Sequence, residues 1–326
     1  MTARLAAYRL FRPAAPSGGP PHLWLELRDA DGTCGYAPLA QAAADRVARS
    51  CRDQLAGGEA DPPGSPSLAL ARLDLELRRL GVPLQAWLGA PEARRVPLAR
   101  RFEASGSAEE TLRMAREAVA AGYETLSLHG EGDEPDGLLA LLPLLRSELG
   151  TGIALRLCLP GRLDPEQAAA LLPRLRPLHL EGVFDPVGSV AAAERLPSGL
   201  PPIGLGAAIA SPADLAIAAR SDRVALAMLA PLQHGGVEGV RKLARIALVH
   251  QLELRLAAGF GTAWEIELAA RLAIALPAVA GAIEPGHAPT PSVLRRGGIM
   301  PTDAPGLAAP PPLGGAFAAG PEGDRS

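Results

Sequence analysis

Ser127 and His129 stand two residues apart in "TLSLHG" and alternate with Leu126 and Leu128. In an extended chain that spacing turns the leucines to one face and the hydroxyl and imidazole to the other. Histidine titrates near neutrality and can serve as a general base. Cys158 closes a second strand-like run, "IALRLCLP". A thiol becomes a nucleophile when a neighbouring cation lowers its pKa, and His129 on an adjacent strand is such a neighbour. Each residue also has a plainer reading: His129 hydrogen-bonding inside a cavity, and Cys158 as a small apolar filler. No third orienting group or oxyanion donor is recognisable beside the pair. The chain contains a single lysine, Lys242, and its remaining basic residues are arginines, which stay charged and make poor general bases.

The elements that position these residues follow a pattern. Ahead of the Ser127 strand, "SAEETLRMAREAVAAG" places Ser107 three residues before Glu110, the spacing of a capping box, and ends at Gly122. From Val96 onward, short apolar runs alternate with amphipathic helices: "VPLARRF", "TLSLHG", "IALRLCLP", "GVFDP", "PIGLGA", "RVALAML" and "ELRLAA". The intervening helices begin near Ser107, Glu134, Asp164, Ser189, Ser211, Gly236 and Thr262. Repeated βα units of this spacing predict a parallel barrel with right-handed crossovers, whose mouth lies at the C-terminal strand ends. Ser127 and His129 would face that mouth. Residues 1–95 read differently: "HLWLELRDADGTCGYAPL" predicts a hairpin or meander turning at 29–32, followed by a helix over 41–55. A Pro/Gly loop at 61–66 and a helix ended by Gly81 and Pro83 complete that section.

The expected fold class is therefore α/β, a (β/α)7β TIM-type barrel over 96–290 with an N-terminal α+β capping domain over 1–95. A Pro/Gly-rich tail over 291–326 is expected to pack on the capping domain, with a disordered end. A net charge of −3 with both signs interspersed argues against nucleic acid. No apolar stretch reaches the roughly 18 residues needed to span a bilayer, and no signal-type run follows Arg4 and Arg9, so a cytoplasmic location is expected. Cys34, Cys51 and Cys158 form neither a disulfide framework nor a zinc pattern, and His22, His179, His250 and His287 share no metal-ligand spacing. Turns at 188–190, 234–236 and 259–262 are candidate anion sites at helix starts.

The order of several short motifs resembles the enolase superfamily, in its muconate-lactonizing and o-succinylbenzoate synthase branch. "LRDADGTCGYAPLA" is similar to a capping-domain G-W-G-E-x-x-P-L stretch, and "LARLDLELRRLGVPLQAWLGA" to its helix and P-L-x-x-L-L-G turn. "GVFDPV" resembles I-E-x-P-L, "PPIGLGAAIAS" resembles P-I-A-x-D-E-S, and "LAPLQHGGVEG" resembles L-K-P-x-x-x-G-G. The likeness covers most of the chain. It implies removal of a proton α to a carboxylate, with Mg²⁺ stabilising the enediolate and lysines doing the acid–base work.

Laid on this sequence, the family's functional positions carry other chemistry. The second-strand K-x-K pair falls on Ser127 and His129, the sixth-strand lysine on Ala230, and a Glu-Ser pair near the seventh strand on Gly261 and Thr262. The three metal acids fall on Cys158, Phe184 and Ala207, and the asparagine after the first on Pro160. A one-residue slip would bring Asp185 inward but reverse the rest of its strand. Mg²⁺ wants a set of oxygen ligands, which Cys158 with one aspartate does not supply. An aromatic ring at position 184 would instead fill the vacated volume.

The expectation is a degenerate family member without Mg²⁺-dependent proton abstraction. It would act as a binder of a small carboxylate, as a homo-oligomer, or as the subunit of a partner protein. No cofactor or metal site is expected. The alternatives are an active o-succinylbenzoate synthase or dipeptide epimerase-type enzyme with an unusual site using His129 and Cys158, a metal-independent reaction run by that pair, or a structural protein; Ser127 is the further catalytic candidate.

Overall fold

The structure is a computed structural model that describes residues 5–12, 23–57, 65–90, 92–103, 107–130, 135–161, 163–259, 261–286 and 296–309. It opens with three antiparallel strands, β1 (Leu5–Phe11), β2 (Leu23–Asp29) and β3 (Cys34–Leu39), in that order across the sheet. The predicted hairpin is β2 and β3, in register from Leu23↔Leu39 to Arg28↔Cys34, and β1 adds a strand on its free edge. Helices α1 (Ala44–Leu55) and α2 (Pro66–Leu80) follow, then the single turn α3 (Leu84–Trp87). Helix α2 starts with Ser65 accepting from Leu68 N–H and stops at Gly81, whose φ of 70° needs no Cβ. It lies directly on β3, because a Cβ on Gly35 would come within 2.2 Å of the Ala71 carbonyl. The predicted loop at 61–66 falls mostly outside the described residues.

After a short strand β4 (Val96–Pro97) the chain alternates strand and helix as expected. The order is β5 (Ala99–Glu103), α4 (Ala108–Ala120), β6 (Thr125–His129), α5 (Pro135–Leu149), β7 (Ala154–Cys158) and α6 (Pro165–Leu171). Then come β8 (Gly182–Phe184), α7 (Val190–Glu194), β9 (Ile203–Leu205), α8 (Pro212–Ala218), β10 (Leu226–Leu229) and α9 (Gly236–Val249). The series ends with β11 (Glu253–Ala258), α10 (Ala263–Ala275) and β12 (Glu284–Pro285), and β13 (Gly298–Ile299) pairs antiparallel with β4. Strands β5 to β12 form one parallel sheet in sequence order. Its two edges meet where Ala99 N–H donates to Ile283 O and Ile283 N–H to Pro97 O, each at 2.9 Å. This is a nearly closed eight-stranded α/β barrel carrying an N-terminal antiparallel domain.

Side-chain oxygens start most barrel helices. Ser107, Ser189 and Ser211 each accept the N–H three residues on, and Asp164 with Gln167 and Thr262 with Glu265 form reciprocal capping boxes. The box expected at Ser107 is half formed. Ser107 accepts from Glu110 N–H, but the Glu110 carboxylate turns to Arg113 instead of reaching back.

Leu126 and Leu128 are buried in the main core between strands and helices, whereas Cys158, Phe184, Leu226 and Met228 form a separate apolar group inside the barrel. Residues 296–309 run between the two parts of the molecule. Asp74 of α2 accepts from Tyr36 and Leu307 N–H, while Glu267 of α10 accepts from Thr302 and Ala309 N–H. Arg271, fully buried, holds the carbonyls of Thr302, Ala304 and Gly306.

Candidate functional site

Alternation along β6 sends Ser127 and His129 into the barrel, as the leucine spacing predicts. Parallel pairing then sets them level with β7: Ser127 opposite Arg156, and His129 opposite Cys158. Three of the predicted residues come together. Ser127 Oγ lies 3.1 Å from His129 Nε2 and 3.5 Å from Cys158 Sγ. The fourth, Ala230, is buried at the end of β10, where its backbone serves His234. There, His234 Nε2 donates to Ile209 O, leaving Nδ1 to accept from Ala230 N–H. The histidine of the 234–236 turn thus ties the end of β10 to the loop that follows β9.

Sequence reasoning missed the group that organises the site. Glu284, on the two-residue strand β12, places Oε1 3.0 Å from His129 Nε2 and Oε2 3.4 Å from Arg156 Nη1. Arg156 is fully buried and is held on its other side by Glu181, at 2.7 and 3.0 Å, and by Ala282 O at 2.9 Å. Glu181 also takes Arg255 Nε at 2.8 Å. A line of alternating charge therefore runs through the barrel from Arg255 to His129. The readable signal was the alternation itself: Arg156 shares the inward face with Cys158, and a buried guanidinium requires a carboxylate. Beside this line on β5, Glu103 stands level with His129 and pairs with Arg101.

The electrostatics follow from this line. Burial opposes a charge on His129, but its interactions with Cys158 and the Glu284 carboxylate push its pKa up to about 10. Glu284 responds in the opposite sense: burial alone would raise its pKa, yet His129, Arg156 and Ser127 hold it below the usual carboxylate range. Glu181 is likewise depressed, with burial outweighed by Arg156 and Arg255. His129 is an imidazolium at neutral pH. Moreover, Glu284 and Ser127 both contact the same nitrogen, Nε2. In a nucleophile–histidine–carboxylate triad they would contact opposite nitrogens.

The positions where the resemblance puts metal acids hold no carboxylate. Phe184 is buried with its ring over Gly204, where a Cβ would lie 2.4 Å from ring carbon Cδ1, and with the Arg156 guanidinium 5.9 Å from its centroid. Ala207 offers only its N–H, donated to Asp185 Oδ2 at 3.2 Å. Asp185 accepts from Gly206 N–H with its other oxygen at 2.7 Å, so it ties the β8 and β9 ends together. Among the described residues no three His, Cys, Asp or Glu side chains are grouped to hold a metal ion. A thiol, a phenyl ring and a methyl do not fit Mg²⁺. The turn at 259–262 already has an internal anion, since Glu265 Oε2 accepts from Thr262 N–H and Oγ1. Lys242 is exposed on α9, and His22 and His287 lie outside the described residues.

Residues 110–311, more than half of the chain, match the family described as Enolase C-terminal domain-like. The chain belongs to the enolase superfamily. Solved structures of similar fold include a superfamily member from Roseovarius nubinhibens ISM, at a TM-score of 0.81 and 20% identity over 99% of this chain and 100% of that one. A dipeptide epimerase from Methylococcus capsulatus complexed with Mg gives 0.76 and 22%, over 94% and 99%. A mandelate racemase/muconate lactonizing enzyme from Bordetella bronchiseptica RB50 gives 0.79 and 21%, over 95% and 98%. At these identities the likeness concerns the fold. No curated protein matches the sequence. Among the described residues no helix is long and apolar enough to cross a membrane.

Proposed function

We propose that this chain is an enolase-superfamily barrel, related to the o-succinylbenzoate synthase and muconate-lactonizing branch, that no longer performs metal-assisted α-proton abstraction. One observation carries this reading: Cys158 and Phe184 end β7 and β8 in place of the first two acids, with the Phe184 ring filling the space over Gly204. Without an electrophile, an enediolate beside a carboxylate is too high in energy to form at a useful rate. A cationic His129 is also no base for that proton, since both its ring nitrogens are already protonated. Titration of the protein with MgCl₂ by calorimetry, beside assays with the o-succinylbenzoate precursor and with dipeptides, tests the proposal. Neither saturable heat nor turnover is expected, and Mg²⁺-dependent turnover would overturn it.

A barrel without turnover leaves the roles of small-carboxylate binder, homo-oligomer or subunit of a partner protein. An external carboxylate would have to compete with Glu284 for His129, which supports the assembly roles over the binder. A second reading, a metal-independent enzyme, draws on Ser127 Oγ bridging His129 and Cys158. Its signature would be turnover that survives EDTA and disappears in His129→Ala.

A further inference from the structure

Glu284 has the surroundings of a bound ligand. Its side chain, only 5% exposed, extends from a two-residue strand to donors on β6 and β7, across the seam where the sheet closes. Those donors are the imidazolium of His129 and the guanidinium of Arg156, with the Ser127 hydroxyl beside them 3.1 Å from His129 Nε2, a set suited to a carboxylate. Arg156 does not depend on Glu284 for its place, being clamped from behind by Glu181 and Ala282 O, and the β6 register sets where Ser127 and His129 leave the backbone. The receptor is preorganised, and the last strand supplies its occupant.

We propose that Ser127, His129 and Arg156 form a carboxylate-binding site that the native chain fills with its own Glu284, a tethered ligand that also closes the barrel seam. The inference rests on the metal-free reading of the mouth, because a divalent cation there would take the carboxylate for itself. It goes beyond that reading in naming the ligand class of the site and the reason the site is not open to external anions. Truncating the side chain to alanine removes an acetate-sized fragment, so acetate is the matching probe.

The experiment compares urea unfolding of wild type, Glu284→Ala and Glu284→Gln in sodium acetate and in sodium chloride of equal ionic strength. Glu284→Ala is expected to be less stable than wild type in chloride and to regain stability saturably in acetate. At ten times the acetate Kd, linkage raises its folded-to-unfolded ratio about 10-fold. Glu284→Gln keeps the space filled and should show no acetate effect beyond that of chloride, as should wild type. Adding Arg156→Met to Glu284→Ala should abolish the rescue.

If Glu284→Ala does not fold in chloride, refolding yield from urea becomes the readout, and it should rise with acetate. Equal stability or yield of Glu284→Ala in the two salts overturns the proposal. So does acetate stabilisation of wild type as large as that of the variant. Calorimetry of wild type with MgCl₂ separates the two readings. Absence of Mg²⁺ binding together with absence of rescue sinks the tethered ligand alone, whereas saturable Mg²⁺ binding sinks both.

Discussion

The charge on His129 makes stability depend on pH in a direction opposite to that of most buried histidines. Its folded pKa of about 10 lies above the ordinary 6.5: burial would lower it, but the interactions with Cys158 and the Glu284 carboxylate outweigh burial. A raised pKa means that the folded state holds the proton more tightly than the unfolded chain. The resulting stability is complete below pH 6.5 and is lost as pH climbs toward 10. With the side chain only 14% exposed, a shift of that size corresponds to stabilisation on the order of 3 to 5 kcal/mol. Urea unfolding at half-unit steps from pH 6 to pH 10, for wild type and His129→Asn, isolates this contribution from other groups that titrate in the window. The gap between the two proteins should be widest at pH 6 and shrink steadily to alkaline pH. On the acid side, Glu284 contributes while ionised and its share fades as pH falls below its ordinary 4.5. A gap that stays level from pH 6.5 to 10 would mean that His129 is neutral in the fold, and the account of a cationic mouth would be wrong.

Three further outcomes follow from the packing. Gly204→Ala drives a methyl into the Phe184 ring and should cost about 1–3 kcal/mol by thermal unfolding, with much of the loss recovered in Gly204→Ala/Phe184→Leu. Arg271→Met leaves Glu267 buried without its cation, which should cost about 3–5 kcal/mol and expose residues 296–309 to limited proteolysis. Asp185 sits at a positive φ of 47° that asparagine tolerates, and its two oxygens cap Gly206 and Ala207. Asp185→Asn should therefore cost less than Asp185→Ala, for which the unpaired N–H groups imply about 1–3 kcal/mol in the same assay.

Much of the barrel was legible because each of its units carries its own signal. Seven strands announce themselves as apolar runs, and Ser107, Asp164, Ser189, Ser211 and Thr262 mark helix starts with caps that need only local geometry. The inward face of β6 was readable for the same reason: period two is fixed by the backbone. The eighth strand was not located, since two residues, Glu284 and Pro285, show no period, and their strand exists only through pairing with β11. Missing it hid Glu284, and without Glu284 the two arginines on β7 and β11 lacked an evident partner. Strand β1 escaped for a related reason. "LAAYRLF" has mixed burial and becomes a strand by adding to β2. Even at Ser107, propensity was decided by competition, because Glu110 had a nearer arginine to satisfy it.

The proposed loss of the metal site rests on more than the residues that end β7 and β8. The carboxylates that do stand near the mouth are already committed inside the chain. Asp185 is bound by two backbone N–H groups, Glu103 by Arg101, Glu265 by Thr262, and Glu284 by His129 and Arg156. A metal ion could recruit any of them only by stripping these donors, and for the buried or nearly buried ones, the Gly206 N–H, Thr262, His129 and Arg156, each left unpaired costs about 1–3 kcal/mol, more when it is charged. Freeing Glu284 is the most expensive case, since it would leave an imidazolium and a guanidinium facing each other without their shared anion. Restoring one acid, as in Ala207→Asp, therefore cannot by itself rebuild a magnesium site. The new carboxylate would stand on an exposed turn beside Asp185, whose oxygens already hold the Gly206 and Ala207 N–H groups, so calorimetry of that variant with MgCl₂ should remain as flat as that of wild type.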